Sequence, residues 1–115
     1  MAHYRATARR REEERQRQLA ERHKRAWAVV KQAGSILKEQ LGAERVVVFG
    51  SVCFPERFHE RSDVDLAVWG IPEQSFYRAV SRLLDIDPTI SVDLIEGEYA
   101  SPNLLQVIEG EGKIL

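Results

Sequence analysis

The stretch that decides the fold is VVVFGSVCFPERFHERSDVDLAVWG, residues 46–70. It contains two apolar runs, 45–49 and 63–69, which predict buried strands because β-branched residues favour a pleated, half-buried surface. The first run ends in Gly50-Ser51, and the second holds Asp63 and Asp65 among apolar neighbours. Two carboxylates within one otherwise apolar strand indicate a functional site at this point of the chain.

Size and composition limit the classes of protein. The chain has 115 residues, 43% apolar and 30% charged, which is typical of one folded globular domain. No apolar run approaches the roughly 20 residues that a membrane-spanning helix needs. The single cysteine, Cys53, excludes an internal disulfide. We therefore expect a cytoplasmic protein without a membrane anchor.

Charge is distributed unevenly along the chain. Residues 1–25 hold nine Lys or Arg and four Glu, a net charge of +5, whereas residues 26–115 have a net charge of −6. Such asymmetry is a hint of a partner. The basic segment could meet an acidic protein surface or RNA, or it could be a solvated helix face. The interleaved Glu residues make nucleic acid the less favoured partner.

A long helix is predicted at the N-terminus. Apolar residues recur at three- and four-residue steps from Leu19 to Leu41, and Gly42 is a helix stop. We predict a packed helix over about 19–41. Residues 1–18 have almost no apolar face, so we expect a basic helical arm that is frayed or bound to a partner, ahead of a domain formed by residues 19–115.

The remaining elements complete a small α/β (α+β) domain. We predict a helix over 73–86, a third strand over 89–95, a helix that begins at Ser101-Pro102 and a short edge strand in the last three residues. The order α-β-β-α-β-α-β indicates a mixed sheet of three to four strands with helices packed on one face. The oligomeric state is not predictable from these patterns.

The acidic residues are expected to converge. Side chains two apart on a strand share a face, so Asp63 and Asp65 lie together, and Asp93 joins them if the second and third strands are neighbours. Two such charges about 4 Å apart repel by on the order of 4 kcal/mol at the dielectric of a protein surface. A cation would relieve this repulsion, and oxygen ligands suit Mg²⁺ or Mn²⁺.

The Gly50-Ser51 pair supplies a candidate phosphate site. Glycine lets the backbone approach a phosphate closely, and the serine hydroxyl and nearby N–H groups can donate to phosphate oxygens. Ser62, just before the first aspartate, is interpreted as a turn residue and grouped with this nucleotide-binding set. Taken alone, a Gly-Ser dipeptide is too common to identify a site.

Together these motifs resemble the nucleotidyltransferase superfamily that includes DNA polymerase β. In length the chain is similar to its minimal members, which are often antitoxin partners of HEPN-type ribonuclease toxins. The resemblance implies a nucleotidyltransferase fold, with Gly50 and Ser51 holding a nucleoside triphosphate. It implies that Asp63 and Asp65 bind two divalent ions, and that Asp93 binds the catalytic ion and acts as a base.

The reaction implied by this resemblance moves a nucleoside monophosphate, AMP from ATP, onto a hydroxyl group. In the antitoxin members the acceptor is a tyrosine of the toxin. The chain departs from the family pattern at Cys53-Phe54-Pro55, where Ala-Arg-Gly is usual, and its loop is one residue longer. Arg57 or Arg61 could replace the missing arginine.

Two other interpretations remain open. The departure in the loop is also compatible with a catalytically decayed binding module that acts by docking on a partner protein. Cys53 and His59 share the loop, but two zinc ligands without a second pair are weak support for a zinc site.

Overall fold

The elements follow the predicted order. The computed structural model describes residues 2–115, with side chains from residue 5 onward. The helices and strands are α1 Ala2–Ser35, β1 Arg45–Phe49, β2 Val64–Trp69, α2 Phe76–Leu84, β3 Val92–Glu96, α3 Pro102–Glu111 and β4 Lys113–Ile114. A π-helical turn, Ile36–Gln40, prolongs α1, and short 3₁₀ turns lie at Ser51–Cys53, Glu73–Ser75 and Gly97–Tyr99.

The four strands form one mixed sheet in the order β3-β2-β1-β4. β1 is antiparallel to both β2 and β4, and β2 is parallel to β3. The predicted mixed sheet with a long N-terminal helix is therefore confirmed. The third strand begins at Val92 and not at residue 89, because the Ile90 N–H donates to the Asp87 carbonyl in a turn.

The sheet is covered on both faces. Val46, Val48, Leu66 and their neighbours pack against α1 and α2 in the main core. The alternate residues Val47, Phe49 and Ala67 pack against Ile108 of α3 in a second, smaller cluster.

The expectation that the helices lie on one face of the sheet is therefore wrong for α3. The physical reason is visible in β1, where four consecutive residues from Val46 to Phe49 are buried. Apolar side chains on both faces of a strand need cover on both sides. α3 begins as predicted, with the Ser101 hydroxyl accepting a hydrogen bond from the Leu104 N–H at 3.2 Å.

Helix α1 extends beyond its packed part toward the N-terminus. Side chains 8–18 are exposed, and contacts with the main core begin at Leu19. The helical segment ends before Gly42, which has a φ of 72° and is the predicted stop. Of the helices described here, none is both long and apolar enough to cross a membrane.

Candidate functional site

The candidate site lies at the end of the sheet where β1 ends and β2 and β3 begin. Asp65 stands opposite Phe49 on one side and in register with Asp93 on the other. Asp63 directly precedes β2. The expected adjacency of the second and third strands is confirmed, and it brings the three aspartates to one end of the sheet.

Electrostatics couple these three carboxylates. The pKa of Asp65 is raised from 3.8 to about 6, first by burial and then by the negative charges of Asp93 and Asp63. Asp63 and Asp93 are exposed, whereas Asp65 is half-buried. The central carboxylate is therefore the one that gains most from a neighbouring positive charge.

Gly50 lies directly against Asp65. Its φ of 81° and ψ of −161° belong to a region that is essentially restricted to glycine. A Cβ at this position would overlap the Asp65 Oδ2. After Gly50 the chain enters a 3₁₀ turn at Ser51, closed by the Cys53 N–H donating to the Gly50 carbonyl at 3.1 Å. The Gly-Ser pair and the aspartates are thus adjacent in space.

The residues that depart from the family pattern have structural partners. Cys53 is buried, and its thiol lies 3.6 Å from the Val48 carbonyl as a donor. Burial raises the pKa of the Cys53 thiol. The Arg57 guanidinium carbon lies over the Phe54 ring, 4.4 Å from the ring centroid, and Arg57 Nη1 forms an ion pair with Glu111 Oε2 at 3.6 Å. These contacts join the loop to the end of α3.

The last part of the loop is a turn around Ser62. Ser62 is 4% exposed, and its hydroxyl accepts a hydrogen bond from the His59 N–H at 2.9 Å. The Ser62 N–H donates back to the His59 carbonyl. The turn role predicted for Ser62 is therefore seen. Arg61 is exposed, and its backbone N–H donates to the His59 Nδ1.

The donor set at the site is compatible with a hard divalent cation. Asp63, Asp65 and Asp93 offer only oxygen ligands, which Mg²⁺ and Mn²⁺ prefer. In the part of the chain that the structure describes, no group of three or more His, Cys, Asp or Glu side chains is gathered as a metal-binding set. Mg²⁺ commonly takes one or two carboxylates and completes its shell with water and substrate phosphates, so the residues fit such an ion.

Sequence reasoning missed two residues of α1 that support the site. The Arg22 guanidinium donates to the Ser62 and Thr89 carbonyls, at 3.2 and 2.9 Å. The His23 Nε2 lies 2.8 Å from the Val52 carbonyl. These contacts span 29 to 67 residues of sequence, which local patterns do not reveal. The available signal was helical spacing, since Arg22 and His23 follow Leu19 by three and four residues and therefore share its inward face.

Comparison with known proteins gives a family match. The sequence model of the family described as "Polymerase beta, Nucleotidyltransferase" matches residues 31–115. The curated proteins contain no match. Residues 1–30, which include most of α1, lie outside the matched part.

Solved structures share the fold. The structure of a protein assigned as a minimal nucleotidyltransferase is 30% identical, with 84% of this chain and 95% of that chain covered at a TM-score of 0.59. The complex of tri-AMPylated Shewanella oneidensis HEPN toxin with MNT antitoxin has 20% sequence identity, with 77% of this chain and 70% of that chain covered at a TM-score of 0.57. A toxin–antitoxin structure with AMP-PNP has 22% sequence identity, with 76% of this chain and 69% of that chain covered at a TM-score of 0.59.

Proposed function

Because the chain belongs to the polymerase β nucleotidyltransferase family, we propose that it transfers AMP from ATP to a hydroxyl group of a partner protein. The observation that carries this proposal is the juxtaposition of Asp65 with Asp93 and with Gly50 at one end of the sheet. Two solved structures with the same fold support this choice of nucleotide and acceptor, since one contains AMP-PNP and the other contains an AMPylated HEPN toxin.

Each residue has a proposed role in this reaction. The backbone at Gly50 and the hydroxyl of Ser51 bind the triphosphate. Asp63, Asp65 and Asp93 would hold two Mg²⁺ or Mn²⁺ ions, which would supply charge neutralisation for the phosphates and for the attacking and leaving oxygens. Asp93 is more exposed than Asp65 and accepts the proton of the acceptor hydroxyl. The hydroxyl oxygen forms a bond to the α-phosphorus, the bond to the β-phosphate breaks, and pyrophosphate leaves.

Arg57 is our candidate for the missing phosphate-binding arginine. Its guanidinium packs over Phe54, which stands where the family pattern has arginine. Glu111, the partner of Arg57, is also close enough to Cys53 to affect the pKa of that thiol, as is Asp65. Arg57 is thus held between the Phe54 ring and the end of α3. Arg61 is the weaker candidate because, unlike that of Arg57, its side chain makes no hydrogen bond, ion pair or ring contact with another described residue.

We propose a HEPN-type toxin as the acceptor and the cytoplasm, where ATP and Mg²⁺ are available, as the site of action. A protein acceptor is supported by the AMPylated HEPN toxin in the structurally similar complex. The basic arm, residues 1–18, is a further surface for that partner.

The test is transfer of label from α-labelled ATP, with Mg²⁺, to a HEPN-type protein. We expect the wild-type chain to label the partner, and Asp63→Asn and Asp65→Asn to reduce labelling by at least a hundredfold. A tyrosine-to-phenylalanine change at the labelled position of the partner is the control. Absence of transfer with all four nucleotides and several such partners would exclude the proposed transferase activity.

The second candidate is a binding module that has lost catalysis. The observation that favours it is the packing of Cys53 and Phe54 in the core, together with the engagement of Arg57 by Glu111. Calorimetry with ATP and Mg²⁺ distinguishes the two. A decayed module binds the HEPN-type partner but no nucleotide, whereas the enzyme binds both.

A further inference from the structure

Arg22 of α1 bridges the starts of the two strands that carry the aspartates. One guanidinium nitrogen, Nη1, donates to the Thr89 carbonyl at 2.9 Å, and the other, Nη2, donates to the Ser62 carbonyl at 3.2 Å. Ser62 immediately precedes Asp63, and Thr89 lies four residues before Asp93. A single side chain therefore fixes the backbone ahead of both parts of the carboxylate cluster.

The two segments that Arg22 joins are also linked to each other. The Val64 N–H donates to the Ser91 carbonyl at 2.9 Å, which begins the β2–β3 pairing. The Thr89 turn is closed by its own N–H and hydroxyl, which both donate to Asp87 Oδ1. Arg22 thus connects two already formed turns at the point where β2 and β3 first meet.

The chemistry of the guanidinium is suited to this bridge. Its planar, rigid fork presents donors in fixed directions, so it can bind two carbonyls at once, whereas a lysine ammonium is a single centre on a flexible stem. The Arg22 Nε is buried and has no hydrogen-bond partner among the described residues. Leaving a buried donor unpaired is unfavourable. A merely solvated arginine would not adopt this position.

We infer that Arg22 is a positioning residue, which sets the distance between Asp63-Asp65 and Asp93 and so determines the affinity for a cation-bound triphosphate. This rests on the proposed function, because the ligand is the one named there. Arg22 lies outside residues 31–115, which match the family.

The experiment compares Arg22→Gln, Arg22→Lys and Arg25→Gln in the full chain. Arg25 is a matched control, since it lies on the same helix and binds the Thr89 hydroxyl and Asp87 without reaching Ser62. Affinity for AMP-PNP with Mn²⁺ is measured by calorimetry at a temperature where every variant is folded. We expect Arg22→Gln to bind at least tenfold more weakly, Arg22→Lys to lie between, and Arg25→Gln to stay within twofold of wild type.

A purely structural role for Arg22 gives a different result. In that case Arg22→Gln lowers the melting temperature, but the folded protein binds Mn²⁺ and AMP-PNP like the wild type, which overturns the inference. Equal losses in Arg22→Gln and Arg25→Gln also overturn it.

Hydrogen exchange at the Val64 amide separates this inference from the proposed function. We expect exchange in Arg22→Gln to be at least tenfold faster than in wild type or Arg25→Gln. If the wild type itself binds no Mn²⁺ and AMP-PNP, the proposed function fails. Faster exchange confined to Arg22→Gln would then still support the positioning of the two strands, and unchanged exchange would overturn it.

Discussion

Asp65 shows how one residue links the stability of the fold to its site. The pKa of Asp65 is about 6 in the folded chain, above its usual 3.8, because of burial and then the charges of Asp93 and Asp63. The folded state therefore binds the proton more tightly than the unfolded state. The contribution of the protonated Asp65 carboxyl group to the stability of the fold is fully present below about pH 4 and is lost as the pH rises through about 6.

The corresponding prediction concerns Asp65→Asn without metal. A raised pKa of this size corresponds to at most about 3 kcal/mol, and we expect a gain of about 1–2 kcal/mol because Asp65 retains some solvent contact. The gain should appear in urea denaturation at pH 7 and vanish at pH 4. Mg²⁺ should raise the melting temperature of the wild type but not of Asp65→Asn. A variant less stable than wild type at pH 7 would contradict this account.

Gly50 gives a second residue-scale prediction. Gly50→Ala forces a side chain into a glycine-only conformation, which costs about 1–3 kcal/mol, and its Cβ displaces the Asp65 carboxylate. Gly42→Ala is the control, because Gly42 also has a positive φ but no atom lies within 4 Å of the new Cβ. We expect both to lose stability, and only Gly50→Ala to lose tenfold or more in ATP affinity. Equal losses in affinity would argue against the contact with Asp65.

At the scale of elements, the loop between β1 and β2 is joined to α3 through Arg57 and Glu111. The pair is exposed, so its contribution to stability is about 0–1 kcal/mol. We expect Arg57→Ala to lower ATP affinity about tenfold with little change in melting temperature. Arg61→Ala should remain within twofold, and Glu111→Gln should raise the affinity two- to threefold by removing a competing carboxylate. Calorimetry decides this, and a larger loss in Arg61→Ala would reverse the assignment.

The elements that carry a strong local pattern were predictable. β1 agrees with its prediction residue for residue, and Ser101-Pro102 identified the start of α3 because capping depends on neighbouring residues. The start of β3 was placed three residues too early, since Ile90 is apolar and buried whether it lies in a strand or in a turn. Apolar character alone does not distinguish the two.

At the scale of the whole molecule, long-range contacts were the part that sequence could not supply. The shared face of Asp63 and Asp65 was readable from their spacing, and the parallel pairing of β2 with β3 places Asp93 beside Asp65. The packing of α3 on the second face and the reach of Arg22 to Ser62 and Thr89 depend on residues far apart in the chain. No local period encodes such contacts.

The last prediction concerns the boundary that we propose between the arm, residues 1–18, and the domain, residues 19–115. Side chains 8–18 are exposed and their ion pairs, such as Arg15 with Glu12, lie within the arm. Pairs of this kind on a helix surface contribute only about 0.2–0.5 kcal/mol. Removal of residues 1–18 should therefore leave the melting temperature within about 2 °C of the full chain and leave ATP affinity unchanged.

The same truncation tests the arm as a partner surface. Because the arm carries an excess of basic residues while the rest of the chain is acidic, we expect the truncated protein to lose affinity for a HEPN-type partner, and the loss to shrink at high salt where surface charges are screened. Truncation from residue 1 to 25 is the comparison, since it also removes Leu19, Arg22 and His23 and should destabilise the domain. Equal melting temperatures for the two truncations would move the boundary of the domain beyond residue 25, because a fold that tolerates the loss of Arg22 and His23 does not depend on their contacts.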